Sequence, residues 1–158
     1  MYKEKTSSQW KNLDASYHLH PFTDFQEYQS SKGRIIEKAE HIYIYDTDGK
    51  KYLDAMSGLW CCSLGYTQPA IGEAVANQFN QLPYYNNFFQ CSNAPAAELA
   101  ERLVKISPKQ FTHVFFTNSG SEANDTNIRL IRRYWDVKKQ PKKRYIIARS
   151  NAYHGSTI

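Results

Sequence analysis

Two short runs carry residue types suited to binding an anion beside a flat ring. The first, Thr117-Asn118-Ser119-Gly120-Ser121-Glu122-Ala123-Asn124-Asp125, sets two hydroxyls and a side-chain-free glycine where a helix is expected to begin. The first N–H groups of a helix have no partner within it, and its aligned peptide dipoles leave partial positive charge there. Backbone and hydroxyls can therefore hold a phosphate with no cation nearby. The second run, Asn151-Ala152-Tyr153-His154-Gly155, supplies an aromatic ring. Side by side, the two suit a phosphorylated planar heterocycle, with its phosphate on the helix terminus and its ring against Tyr153 or the neighbouring His154. A nucleotide suits the same spacing. Taken alone, the first run is better explained as a helix cap by Ser119 or Ser121, with Glu122 and Asp125 favourable to the dipole, and only its neighbours strengthen the anion reading.

The elements that would bring these runs together are legible around them. His113-Val114-Phe115-Phe116 reads as a strand, and a helix follows from Ser121 to about Asp136, where Ala123, Asn127, Leu130, Ile131, Tyr134 and Trp135 recur at three- and four-residue spacing. Arg144-Tyr145-Ile146-Ile147-Ala148-Arg149 reads as a second strand. Strand, helix, strand predicts a parallel crossover of right-handed sense, and ligands of open parallel sheets sit beyond the carboxyl ends of the strands. That places Ser119, Gly120 and Ser121 beside Tyr153.

Upstream, Ile42-Tyr43-Ile44-Tyr45-Asp46 and Lys51-Tyr52-Leu53-Asp54 flank Asp48-Gly49, a hairpin signal. Pro69 opens a helix with Ile71, Ala74, Val75, Phe79 and Leu82 on one face, and Ala96 to Lys105 is a second helix, stopped near Pro108. The first 32 residues, including His18-Leu19-His20-Pro21-Phe22, lack periodicity and read as an arm.

Several motifs, in order, resemble one family. Leu53-Asp54-Ala55-Met56-Ser57-Gly58-Leu59-Trp60, Gly65-Tyr66, Leu82 to Phe89, Asn118 to Thr126, Arg132 to Asp136 and Asn151 to Thr157 look like those of class III aminotransferases, most of all the ω-amino acid or amine:pyruvate branch. The match runs from about His18 to Ile158. The resemblance implies an α/β fold, the N-terminal part of a type I pyridoxal-phosphate transferase. Residues 1–64 would be the arm and hairpin of the small domain, and residues 65–158 the start of a parallel-sheet, cofactor-binding large domain. It implies pyridoxal 5'-phosphate as cofactor, a small-molecule amine or amino acid and a keto acid as substrates, and a homodimer or larger assembly. By the same resemblance Ser119, Gly120 and Ser121 match the phosphate-binding turn and Tyr153 the residue stacked on the pyridine ring. Trp60, Phe88 and Phe89 match pocket-lining aromatics, and Phe22 an entrance residue on the arm. Read without the resemblance, those large aromatics fit core or interface positions.

The family's chemistry needs a lysine that bonds covalently to the cofactor and shuttles a proton, and an acidic partner for the pyridine nitrogen. No lysine here matches that position, so no catalytic residue is assigned and the chain reads as an N-terminal fragment, inactive alone. A noncatalytic product that keeps only the phosphate-binding turn is the alternative. A nucleotide-binding module is disfavoured because the G-x-G-x-x-G and G-x-x-x-x-G-K-[ST] patterns are absent.

Composition narrows the remaining classes. With 158 residues, 41% of them hydrophobic, the chain is globular rather than disordered in type, and it contains no long apolar run to span a bilayer. Met1 to Asn12 lacks the apolar centre of a signal peptide, so the expected location is cytoplasmic. Cys61, Cys62 and Cys91 form neither a zinc pattern nor a disulfide framework, and no metal site is expected. The net charge of +5 owes much to residues 138–144, whose Pro141 and position between helix and strand mark a solvated loop, so no nucleic-acid partner is expected.

Overall fold

In the computed structural model, which describes residues 5–157, the Asp48-Gly49 signal makes the expected hairpin. Strand β1 (Ile36–Glu40) lies antiparallel to β2 (Tyr43–Asp46), and β2 to β3 (Lys51–Leu53), in the order β1-β2-β3. Gly49 sits at φ 79°, the left-handed conformation that the turn requires and that glycine adopts without strain. Asp46 fixes the turn from one side: its Oδ1 accepts the N–H groups of Asp48 (3.0 Å) and Lys50 (2.9 Å), and its Oδ2 accepts the Tyr52 hydroxyl (2.6 Å).

The arm is more ordered than its lack of periodicity suggests. Helix α1 (Ser7–Tyr17) opens on a capping box in which Thr6 Oγ1 accepts the Gln9 N–H and Gln9 Oε1 accepts the Thr6 N–H. Helix α2 (Phe25–Ser31) is capped by Asp24, whose carboxylate accepts the N–H groups of Gln26 and Glu27. Caps fix these helices where an apolar stripe does not. Ser7 and Thr47 share a hydroxyl bond, and Lys11 pairs with Asp48, so α1 is tied to the hairpin tip. A four-residue turn, α3 (Ser57–Trp60), and helix α4 (Pro69–Gln81), which begins on the expected proline, complete this unit, which ends at Tyr84.

The second unit, from Tyr85 on, holds α5 (Ala94–Ile106) and α6 (Gly120–Val137). Asn93 caps α5 through the Ala96 N–H, and Glu98–Arg102 and Glu101–Lys105 pairs brace its exposed face. Residues 113–116 and 144–149, read as parallel strands from the sequence, form no ladder; among the described residues the sheet is the antiparallel one of the first unit. The reason is physical. A strand exists only through the neighbour it bonds to, and these two runs do not pair with each other. Their side chains lie open: Phe115 is 74% and Ile147 97% exposed. No hydrophobic residue is buried among the described residues, and the two that are, Asp46 and Ser121, are polar.

Candidate functional site

The start of α6 is shaped by what its first residues bond. Ser119, in extended conformation, is the cap: its Oγ accepts the Glu122 N–H at 3.1 Å. Glu122 turns back, and its Oε2 accepts both the backbone N–H (2.9 Å) and the side-chain amide (3.2 Å) of Asn118, which keeps that carboxylate's lone pairs occupied. The N–H groups of Gly120 and Ser121 meet no acceptor among the described residues, and nothing stands within 4 Å of where a Cβ on Gly120 would be. Two donors thus stand without acceptors at the positive end of an 18-residue helix, and the space beside Gly120 is open.

Ser121 does not cap. Its hydroxyl is the meeting point of the second run: it lies 3.2 Å from the Tyr153 hydroxyl and accepts the Ser156 N–H at 3.2 Å. Tyr153 Oη also pairs with Ser156 Oγ at 3.3 Å. Asn124 Nδ2 donates to the His154 carbonyl at 2.8 Å, and the Thr157 hydroxyl donates to Asp125. Residues 153–157 are thereby laid across the first two turns of α6. The contact is close enough to require glycine at 155: φ is 119°, and a Cβ there would come within 3.1 Å of Ser121 Cα and Oγ. The hydrogen bonds from Ser121, and then Ser156, hold the Tyr153 phenol below its ordinary value. Ser119, Gly120, Ser121 and Tyr153 are therefore gathered at one place, whereas His154 joins through its main chain.

The aromatics matched to a substrate pocket share a local trait. Phe22 (φ 52°), Trp60 (φ 72°) and Phe89 (φ 52°) all adopt left-handed backbone, which bulky residues seldom do, and Phe22 and Phe89 are each 92% exposed. Such strain, about 1–3 kcal/mol per residue, persists where surrounding bonds impose it and gathers at functional sites. Phe88 and Phe89 face each other with ring centroids 6.2 Å apart. Asn86 accepts the Phe88 N–H, and Asn87 accepts from Asn93, which pins the segment to the start of α5. Phe22 and Trp60 belong to the first unit, Phe88 and Phe89 to the second.

Asp54 imposes the Trp60 turn, a role that the sequence reading did not assign. Its Oδ2 accepts the Gly58 N–H (2.7 Å) and the Tyr66 hydroxyl (2.5 Å), and its Oδ1 the Met56 N–H (3.2 Å). Gly58 and Leu59 are left-handed too, and the Cys62 N–H closes the turn on the Ser57 carbonyl at 2.8 Å. The Tyr66 bond, followed by that from Gly58, holds the Asp54 carboxyl below its ordinary 3.8; the same bond pushes the Tyr66 phenol up to about 12. The depressed Asp54 stabilises the turn above its ordinary value, and this is lost as pH falls through the lowered one. The raised Tyr66 contributes below pH 10, and this is lost as pH rises through about 12. Trp60 fluorescence, read in a variant with Trp10→Phe and Trp135→Phe, should therefore stay constant through neutral pH and change at both extremes. Tyr66→Phe should abolish the alkaline change and move the acid change to higher pH; a titration identical to that of the parent would disprove the role.

Comparison with known proteins gives this geometry a context. A family model described as aminotransferase class-III matches residues 26–158. The chain is 48% identical over 150 residues to the putrescine–pyruvate aminotransferase of Pseudomonas aeruginosa, covering 95% of this chain and 33% of that protein. Among solved structures, the omega transaminase of Pseudomonas jessenii in complex with PMP superposes with a TM-score of 0.88 at 43% identity, covering 92% of this chain and 32% of that one. A thermostable (S)-enantioselective omega-transaminase from Thermomicrobium roseum gives a TM-score of 0.92 at 32% identity, covering 97% and 34%. The chain spans about a third of the length of these relatives. With an α/β fold that superposes on theirs and a family match across most of its length, the chain belongs to the class III aminotransferases.

Proposed function

We propose that the protein moves an amino group from an amine or ω-amino acid to pyruvate or a similar keto acid, using pyridoxal 5'-phosphate. The observation that carries this reading is the convergence of Gly120, Ser121 and Tyr153 at the open end of α6. That end fits the cofactor: two unpartnered N–H groups and a hydroxyl accommodate a phosphate, and a phenol ring stands beside them. When bound, the cofactor supplies the electron sink for breaking a bond at the amine carbon. This chain's residues bind and orient. The Ser121 hydroxyl would donate to a phosphate oxygen while its lone pair keeps the Ser156 N–H. The ring of Tyr153 stands beside the turn that Ser119 caps, where a heterocycle would lie. Phe22 and Trp60 in the first unit, and Phe88 and Phe89 in the second, each supply apolar aromatic surface suited to an amine's side chain. The relative from Pseudomonas aeruginosa, a putrescine–pyruvate aminotransferase, supports an amine donor with pyruvate as acceptor. A homodimer and a cytoplasmic location belong to the same proposal; among the described residues no helix is long and apolar enough to cross a membrane.

Cofactor retention tests the site directly. In the holoprotein, Tyr153→Ala should release pyridoxal phosphate on dialysis at least several-fold more readily, since ring stacking contributes about 0.5–1.5 kcal/mol beyond burial. Tyr153→Phe should stay near the parent, and Ser121→Ala should lose about 1.5–3 kcal/mol, the usual range for a hydrogen bond to a charged group. Retention by Tyr153→Ala equal to that of a Lys109→Ala control, an exposed residue outside the site, would reject the assignment.

A further inference from the structure

Outside that site, one group of side chains combines the right ligand types at bonding distance. Asp14, on the last turn of α1, faces His18 four residues on, so the two share a helix face. His18 Nδ1 lies 3.0 Å from Asp14 Oδ1. The extended backbone after the helix returns His20, with Nε2 2.8 Å from Asp14 Oδ2. Tyr28 of α2 adds its hydroxyl to the same oxygen. The three ligand atoms of Asp14, His18 and His20 lie within 4.8 Å of one another. The cluster is held from behind, because Gly33 packs on the Tyr28 ring so tightly that a Cβ there would come within 2.4 Å of it. Asp14 and His20 side chains are only 18% and 25% exposed, while His18 at 62% leaves an entry path.

We propose that Asp14, His18 and His20 form a binding site for a divalent transition metal, zinc being the best fit, on the arm that carries Phe22. Adjacent ligands around tetrahedral zinc are about 3.3 Å apart, given bonds near 2.0–2.1 Å, so the observed nitrogen–oxygen separations need open by only tenths of an ångström. Two imidazoles and a carboxylate are a ligand set for zinc and its first-row neighbours rather than for calcium or magnesium. Facing a carboxylate, each imidazole nitrogen carries its proton toward Asp14 in the metal-free state; the metal takes that place, and each proton moves to the other ring nitrogen. Tyr28 or water supplies the fourth position. Metal here would tie Pro21 and Phe22 to the end of α1.

Titration of the metal-stripped, tag-free protein with zinc chloride tests this, in a Cys61→Ser, Cys62→Ser, Cys91→Ser background that removes thiol ligands. One zinc per chain is expected, weakened at least tenfold by His18→Gln with His20→Gln and also by Asp14→Asn, which retains the shape of the cluster. Cobalt(II) should give the intense visible bands of a four-coordinate nitrogen–oxygen site, lost in the same variants. Circular dichroism that still shows the parent's helices in the Asp14→Asn variant removes misfolding as the cause. No stoichiometric zinc in the thiol-free protein, or binding unchanged by the histidine and aspartate substitutions, would overturn the proposal and leave the cluster as a hydrogen-bonded hub.

Discussion

The 158-residue chain on its own is expected to show no transaminase turnover with any amine and pyruvate, and no single dominant lysine adduct after borohydride reduction with pyridoxal phosphate. The reaction requires one side chain to hold the cofactor covalently and carry a proton. A positioned general base alone contributes about 10²–10⁴-fold, and covalent attachment adds to it. Several of the described lysines are engaged elsewhere, among them Lys11 with Asp48, Lys32 with Asn12, Lys38 with Glu40, Lys105 with Glu101, and Lys51 and Lys143 over the rings of Tyr43 and Trp135. None of these contacts reaches Ser121 or Tyr153. What the chain does present, on the proposed reading, is a turn for the phosphate and a ring beside it, and these alone are expected to bind weakly. Joining it to sequence that supplies the family's lysine should restore both turnover and the adduct. Stoichiometric labelling of one lysine in the short chain, accompanied by turnover, would show that the catalytic machinery lies within these residues.

How far the sequence could be read depended on whether the signal was local. The Asp48-Gly49 turn, the proline start of α4 and the serine-glycine start of α6 are decided within a few residues, and each element forms where expected, α6 at Gly120 rather than Ser121. Tyr153 does lie beside Ser121 as expected, although the two runs through which the sequence brought them together form no ladder. Helices α1 and α2 were missed although Thr6, Gln9 and Asp24 announce their caps; weak apolar periodicity hid them, and capping together with the Asp14 cluster supplies what an apolar face would have given. Strand β1, Ile36-Glu37-Lys38-Ala39-Glu40, is an outer strand too polar to show alternation. Asp54 stood inside a recognised motif, but its grip on Gly58 and Tyr66 depends on a left-handed turn that no periodicity reports. The parallel strands fall at the opposite limit: their sequence is right for a strand, and what makes a strand lies elsewhere.

That missing partner surface leads to the second large effect. The chain exposes 14482 Å², against about 8,200 Å² expected for a folded monomer of its mass. The excess is apolar in the places that matter. Ala70, Ile71, Ala74, Val75, Phe79 and Leu82 line one open face of α4, and the strand-like runs leave Phe115, Tyr145 and Ile147 uncovered. Open apolar faces of this kind are rarely left in water. Expressed alone, the chain should bind a hydrophobic dye such as anilinonaphthalene sulfonate strongly and scatter light as a mixture of associated species. In a protein that supplies the covering segments, both signals should fall to those of an ordinary globular domain. Charged substitutions at Ile71, Val75 and Phe79 should reduce association of the short chain but destabilise the longer protein, because the same face would then be buried against a charge. A monodisperse, cooperatively folding monomer of these residues would mean that the apolar faces find cover within the chain itself, and the reading of them as surfaces awaiting other polypeptide would have to be given up.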